Sequence, residues 1–218
     1  MLLFLGANMG SFVFEKPLFY IIDTSVYEDE TCFMKAYQRI ADCRKQKIDT
    51  LCLPGDKRLS LGASVLLEKG LRNLGIDTYE VQYGEHGKPC LAGIKDLFFS
   101  ISHSGVYAVC AFYHKSIGVD VEQCIPKQET LMRRVTTDAE YVWLCAQSEE
   151  KKCQNFHKIW VGKESYMKFL GTGLSAPIKE IEIPLWSHEE VWHNGVRKPV
   201  ILDFYEIKGY PIAMCYAV

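Results

Sequence analysis

The feature that most constrains this chain is the order of its segments: helical patterns, then strand patterns, and then the same order again. A short buried strand at 18–22 precedes apolar stripes at helical spacing over 30–47 and 57–74, with Gly75 placed to cap the second helix. Strand-like stretches follow at 79–83, 98–102, 107–113 and 117–121. Past Pro126 the helical pattern returns at 129–134, 138–145 and 156–170, and β-like pieces at 180–183, 190–196, 200–205 and 210–218 close the chain. Tyr107-Ala-Val-Cys-Ala-Phe112 is echoed by Ile212-Ala-Met-Cys-Tyr216. Together these features predict an α+β protein of two similar halves, residues 17–116 and 117–218, with a site in the cleft between them. Met1 to Phe14 is apolar but lacks the basic start of a signal peptide, and residues 1–16 are expected to form a poorly ordered leader.

Bulk properties narrow the function. A chain of 218 residues buries enough surface to fold without a disulfide or metal staple. The net charge of −2 lacks the basic excess of a nucleic-acid binder, so any bound anion must be held by a few placed residues. No stretch approaches the roughly twenty apolar residues that span a membrane. The nine cysteines are odd in number and show no Cys-x-x-Cys spacing, as expected of free thiols in a reducing cytoplasm.

Four segments carry possible chemistry. In Gly118-Val-Asp-Val-Glu122, strand alternation projects Asp120 and Glu122 to one face while Val119 and Val121 pack inward. Paired carboxylates suit a hard cation such as Mg²⁺; a solvated edge strand is the other reading of the motif alone. In the helix at 156–170, Phe156, Ile159, Trp160, Met167 and Leu170 form an apolar stripe on which Lys163 also falls. An unpaired ammonium there is costly, so Lys163 requires a carboxylate or a phosphate nearby. Glu164 and Lys168, four apart, are neighbours on the same helix, which Gly171-Thr-Gly173 ends. Phe99-Ser-Ile-Ser-His-Ser-Gly105 places hydroxyls, a histidine and free N–H groups at a strand tip, which suits a phosphate. Gly87-Lys88-Pro89 is a turn by composition.

The order and joint presence of these segments, ending in Trp-x-x-Lys-Glu-Ser-x-x-Lys-x-x-Gly-x-Gly-Leu-Ser, resembles the Sfp-type branch of the 4′-phosphopantetheinyl transferases. The resemblance runs from about Arg39 to Ser175 and is most specific at 118–122 and 160–175. It implies a pseudo-twofold α+β monomer that moves the 4′-phosphopantetheine arm of coenzyme A to a serine of an apo acyl or peptidyl carrier protein. Adenosine 3′,5′-bisphosphate leaves. By the same resemblance, Asp120, Glu122 and Glu164 hold Mg²⁺, with Mn²⁺ as an alternative. Glu164 is also the general base, and Lys168 meets the pyrophosphate and the departing oxygen. Lys163 would contact phosphate, and Trp160 would pack beneath the site. Gly87, Lys88 and Pro89 lie against the adenine, while Ser102, His103 and Arg58 meet the phosphates of coenzyme A. Arg44 and Lys45 are implied for the 3′-phosphate, with Lys47 also open; Asp42 stands where that pattern has a lysine. A non-catalytic binder of the same fold and a metal-dependent phosphodiesterase are the competing expectations, and the carrier is left open.

Overall fold

The structure, a computed structural model, describes residues 12–173 and 177–218. The chain is α+β. β5 (Tyr107–Tyr113) pairs antiparallel with β1 (Leu18–Asp23) and β4 (Phe98–Ser104), and β11 (Tyr210–Ala217) pairs antiparallel with β10 (Val200–Ile207) and β6 (Ile117–Val121). The two echoing sequence segments are thus the central strands of two three-stranded sheets. A central strand covered on both faces needs apolar side chains in unbroken runs, and every residue of β5 is buried. Each sheet is backed by its longest helix: α3 (Pro54–Asn73) lies on β5, and α6 (Glu149–Leu170) lies on β6 and β11. The opposite faces share one core, in which Tyr107, Val109, Val119 and Met214 meet and the rings of Tyr107 and Tyr210 cross edge-on at 4.9 Å.

The sheets are joined along β4 and β6 by hydroxyls. Ser100 Oγ accepts from the Val119 N–H at 3.0 Å, Ser102 Oγ donates to Asp120 Oδ1 at 2.7 Å, and Ser104 Oγ accepts from the Gln123 N–H at 3.0 Å. Residues two apart on a strand share a side, so Ser100, Ser102 and Ser104 form one row of bridges. Two short antiparallel units flank this frame: β2 (Val81–Tyr83) with β3 (Pro89–Leu91), and β7 (Ile181–Glu182), β8 (Trp192–His193) and β9 (Val196–Arg197).

Several expected elements have different bounds. The single helix expected over 30–47 is two, α1 (Glu30–Tyr37) and α2 (Asp42–Asp49). Glu68 Oε1 accepts the Ala41 N–H at 2.7 Å, and Ile40 plugs a small core at the break, two tertiary contacts that outweigh a continuous stripe. Pro54 starts α3 from its first turn, where the missing N–H costs nothing, whereas Pro54-Gly55 reads as a breaker in sequence. α6 begins at Glu149, with Ser148 as its cap; its first two turns are too polar to show a stripe. Short helices α4 (Glu129–Val135) and α5 (Asp138–Cys145) precede it, α5 opening on a capping box of Thr137 and Glu140. Of the expected leader, residues 1–11 lie outside the described residues; Phe12 and Phe14 pack against the core, and the Phe14 N–H donates to His114 Nδ1.

One glycine sets the distance between α6 and β6. A Cβ on Gly118 would stand 2.0 Å from the Ser165 carbonyl oxygen and 2.4 Å from the Phe169 nitrogen, both backbone atoms. Neither can yield without moving the helix. Gly118→Ala is expected to destabilise the fold by about 3 kcal/mol, at the upper end of overpacking costs. The control is Gly55→Ala on α3, where nothing lies within 4 Å; it should gain about 0.4–1 kcal/mol. Urea unfolding of both variants reads the difference.

Candidate active site

The carboxylates predicted from sequence come together because α6 crosses β6 so closely. Asp120, on β6, is only 5% exposed. Its Oδ1 accepts the Lys168 ammonium at 2.6 Å and the Ser102 hydroxyl at 2.7 Å, and Lys168 also donates to Ser102 Oγ at 2.9 Å. Lys168 therefore neutralises the strand carboxylate, although helical spacing places Glu164 beside it. Glu122 lies 3.5 Å from Lys127, which is a loose pair. Glu164 lines the same cavity; burial first, and then the charge of Asp120 with a smaller part from Glu122, pushes its carboxyl up to about 7 against the pull of Lys168.

The cavity has a volume of about 570 Å³. Its polar side is Ser102, His103, Asp120, Glu122 and Glu164, and its apolar wall is Leu131, Val135, Trp160 and Ile178, with Arg134 at the edge. The imidazole of His103 opens to solvent on one side, yet the atoms packed around it desolvate it enough to hold it below its usual value, and the charge of Lys168 adds to this. The three carboxylates converge without closing to ligand spacing; among the described residues, the three donors that lie within 4.8 Å of one another are elsewhere. Hard carboxylate oxygens fit Mg²⁺, which also keeps water and phosphate oxygens in its shell.

A second, narrower slot of about 180 Å³ lies beside the first, between the turn at 87–89, Ser100 and Ile101 of β4, and Gly171 and Gly173 after α6. Lys168 lines this slot, and its bonds to Asp120 and Ser102, which line the first cavity, link the two. Lys88 is placed here by its stem, which runs against Gly171, while its ammonium turns inward to the carbonyls of Ile117 and Phe169, each at 3.1 Å. Burial lowers that ammonium to about 8. Its charge latches the turn to the second sheet.

Lys163 corrects an expectation. It is fully buried, and its Nζ meets Glu140 Oε2 at 2.6 Å, the Val135 carbonyl at 2.8 Å and the Ile178 carbonyl at 3.4 Å. Three protein acceptors fill the three donors of an ammonium, so no phosphate reaches it. Glu140, which the sequence reading missed, also caps α5 and accepts from the Ile183 N–H; the Thr137-x-x-Glu140 spacing was the available signal. Arg44 is likewise buried, its Nε donating to Ser64 Oγ at 2.9 Å, which removes it from any open phosphate pocket. Lys45 pairs with Asp42 at 2.9 Å, and Arg58 with Glu28 at 3.6 Å; neither lines the two cavities. Lys47 is the α2 cation whose field reaches His103. Leu174 and Ser175 of the helix motif lie outside the described residues.

With this geometry in place, comparison with known proteins is direct. The sequence model of the 4′-phosphopantetheinyl transferase superfamily matches residues 116–215, the half that carries β6 and α6. The 4′-phosphopantetheinyl transferase Sfp of Bacillus subtilis (strain 168) is 32% identical over 151 residues, 67% of this chain and 67% of its own. A second 4′-phosphopantetheinyl transferase of Bacillus subtilis is 30% identical over 165 residues, 73% of this chain and 74% of its own. The chain belongs to the 4′-phosphopantetheinyl transferase superfamily. A further relative, the 4′-phosphopantetheinyl transferase gsp of Aneurinibacillus migulanus, is 28% identical over 165 residues.

The two helix lysines of this transferase can be told apart by experiment. Lys163→Met strands the Glu140 carboxylate in the core and is expected to cost about 3–5 kcal/mol in urea unfolding. Lys168→Met, which removes a partly exposed ammonium, should cost less stability in the same assay.

Proposed function

We propose that this transferase moves the 4′-phosphopantetheine arm of coenzyme A to the serine hydroxyl of an apo acyl or peptidyl carrier protein, releasing adenosine 3′,5′-bisphosphate. The observation that carries this reading is the position of Lys168, which lines the narrow slot and is bonded to Asp120 and Ser102 of the carboxylate-lined cavity. A pyrophosphate running from one to the other passes that ammonium.

Asp120, Glu122 and Glu164 would hold Mg²⁺, with Mn²⁺ as a substitute. When bound, the ion offsets the charge that develops on the pyrophosphate as the leaving group departs. The remaining roles fall to side chains. Glu164, raised to about 7, can take the serine proton near neutral pH, directly or through a water, as the oxygen attacks the β-phosphorus. Lys168 stabilises the departing oxygen. Gly87, Pro89 and the stem of Lys88 would take the adenine in the narrow slot, while Ser102 and His103, which feels the charge of Lys47, would face the phosphates. Arg58 and Lys45 would reach the 3′-phosphate only by leaving Glu28 and Asp42, so Lys47 is the stronger candidate. The wall of Leu131, Val135 and Trp160 keeps water from competing with the serine.

β4 belongs to residues 17–116, and β6 and α6 to residues 117–218, so one chain completes the site and a monomer suffices. The free thiols suit the cytoplasm. No helix among the described residues is long and apolar enough to cross a membrane.

The test is to incubate the protein with Mg²⁺, coenzyme A and a panel of apo-carriers, then weigh each carrier by mass spectrometry. At least one carrier should gain the arm, and Glu164→Gln should slow transfer by about 10²–10⁴-fold. A phosphodiesterase would instead strip the arm from holo-carrier, and a non-catalytic binder would retain coenzyme A unchanged.

A pH series separates the roles of Glu164. A carboxyl raised from 4.5 to about 7 in the fold binds its proton more tightly there than in the unfolded chain. Its contribution to stability is therefore complete below pH 4.5 and is lost as the pH rises through about 7. Without metal, the stability of the native protein relative to Glu164→Gln should fall across that window. Saturating Mg²⁺, which favours the ionised carboxyl, should recover the loss, and the transfer rate should then rise with pH at values below about 7.

A further inference from the structure

Where β6 ends, the chain runs on through Gln123 and Cys124 and crosses the first half of α6. Two thiols and an imidazole meet there, outside both cavities. Cys124 Sγ and Cys153 Sγ are 3.6 Å apart, and Cys153 Sγ is 3.9 Å from His157 Nδ1. One donor atom from each of the three residues lies within 4.8 Å of the other two, and they are the one such trio among the described residues. Cys153 and His157 are four apart on α6, so the helix presents both on one face, and Cys124 closes the group from the strand side.

These spacings fit a soft metal. Zinc–sulfur bonds of about 2.3 Å place two tetrahedral ligands about 3.8 Å apart, close to the observed separation of the two thiols. A disulfide needs about 2.05 Å between the sulfurs and makes no use of an imidazole at the third corner. His157 is itself prepared. It is fully buried; Nδ1 stands 2.8 Å from the Cys153 carbonyl, which fixes one ring nitrogen, and Nε2 is buried with no hydrogen-bond partner. Metal-binding histidines characteristically hold one nitrogen on a carbonyl or carboxylate and leave the other for the ion. Beside Cys124 opens a cavity of about 370 Å³, lined also by Asn155, Lys158, Glu206 and Lys208, which lets water reach the group from the Cys124 side.

We propose that Cys124, Cys153 and one ring nitrogen of His157 form a binding site for a zinc-class transition metal, separate from the three carboxylates. The metal would clip the segment following Glu122 to α6, two turns before Glu164, and so brace the two elements that carry those carboxylates.

The test uses the full chain, reduced and metal-free, titrated with Co²⁺ and then with Zn²⁺. The expected result is thiolate-to-cobalt charge-transfer absorption that saturates at one ion per chain and disappears as Zn²⁺ displaces it. Cys124→Ser, Cys153→Ser and His157→Gln should each weaken Co²⁺ by more than the ~10–100-fold that an outer-shell partner is worth. Asp120→Asn should keep the absorption, which distinguishes this site from the carboxylates whether or not they bind metal. Absence of the absorption would overturn the proposal. So would absorption that survives loss of both cysteines and therefore belongs to other thiols, or a Cys124–Cys153 disulfide that forms in preference to metal binding.

Discussion

The geometry of this protein depends on how near a helix can come to a strand. Gly118 leaves out the one atom that would hold α6 off β6, and a Cβ there would overlap the Ser165 carbonyl. Because the two backbones touch, Asp120 on the strand and Glu164 and Lys168 on the helix share one small space. A strand carboxylate can then hold a helix ammonium at 2.6 Å with its side chain almost fully buried. The same closeness desolvates Glu164 and sets it against Asp120, which is why its carboxyl lies far above the usual range. The serine row of β4 completes the arrangement from the other sheet, since Ser102 bonds to Asp120 and Lys168 together.

Lysines 163 and 168 sit on the same helix and have opposite fates. Lys163 is wholly inside, matched by Glu140 and two carbonyls, and the removal of two charges from water is offset only because all three donors are used. Lys168 is partly open and has two bonds to groups of the site, so it has capacity left for a ligand. Lys88 is a third case. Its ammonium is committed to the carbonyls of Ile117 and Phe169, and what it offers the slot is its aliphatic stem. Three cations near one cleft thus do three different jobs, decided by how many protein acceptors each one finds.

That distinction marks the limit of what the sequence makes legible. The echo between Tyr107–Phe112 and Ile212–Tyr216 is readable because central strands must be apolar on both faces, and those strands organise the two sheets. Asp120 and Glu122 follow from strand alternation, and Glu164 with Lys168 from helical spacing, since both are local periodicities. The cost of Lys163 on an apolar stripe is equally visible, but not the anion that relieves it. Glu140 is 23 residues away, and a protein carboxylate and a substrate phosphate satisfy an ammonium in the same way. Arg44 is implied only by the resemblance, and its burial against Ser64 is a tertiary contact that local sequence does not show. The break at 38–41 is also non-local, resting on Glu68 from the next helix.

The site holds more negative charge than its lysines match. Three carboxylates face one cavity, and within hydrogen-bonding reach one ammonium is committed to Asp120 while another stands 3.5 Å from Glu122. Glu164 has neither, and a carboxyl pushed to about 7 is half protonated at neutral pH, so the cleft partly discharges itself by holding a proton. A pyrophosphate entering next to it would bring further negative charge and raise the cost of ionising Glu164 again. For Glu164 to serve as the proposed base under those conditions, positive charge would have to arrive with the substrate. The proposed divalent cation would act on that charge: at the carboxylates it would supply the positive charge and displace the proton.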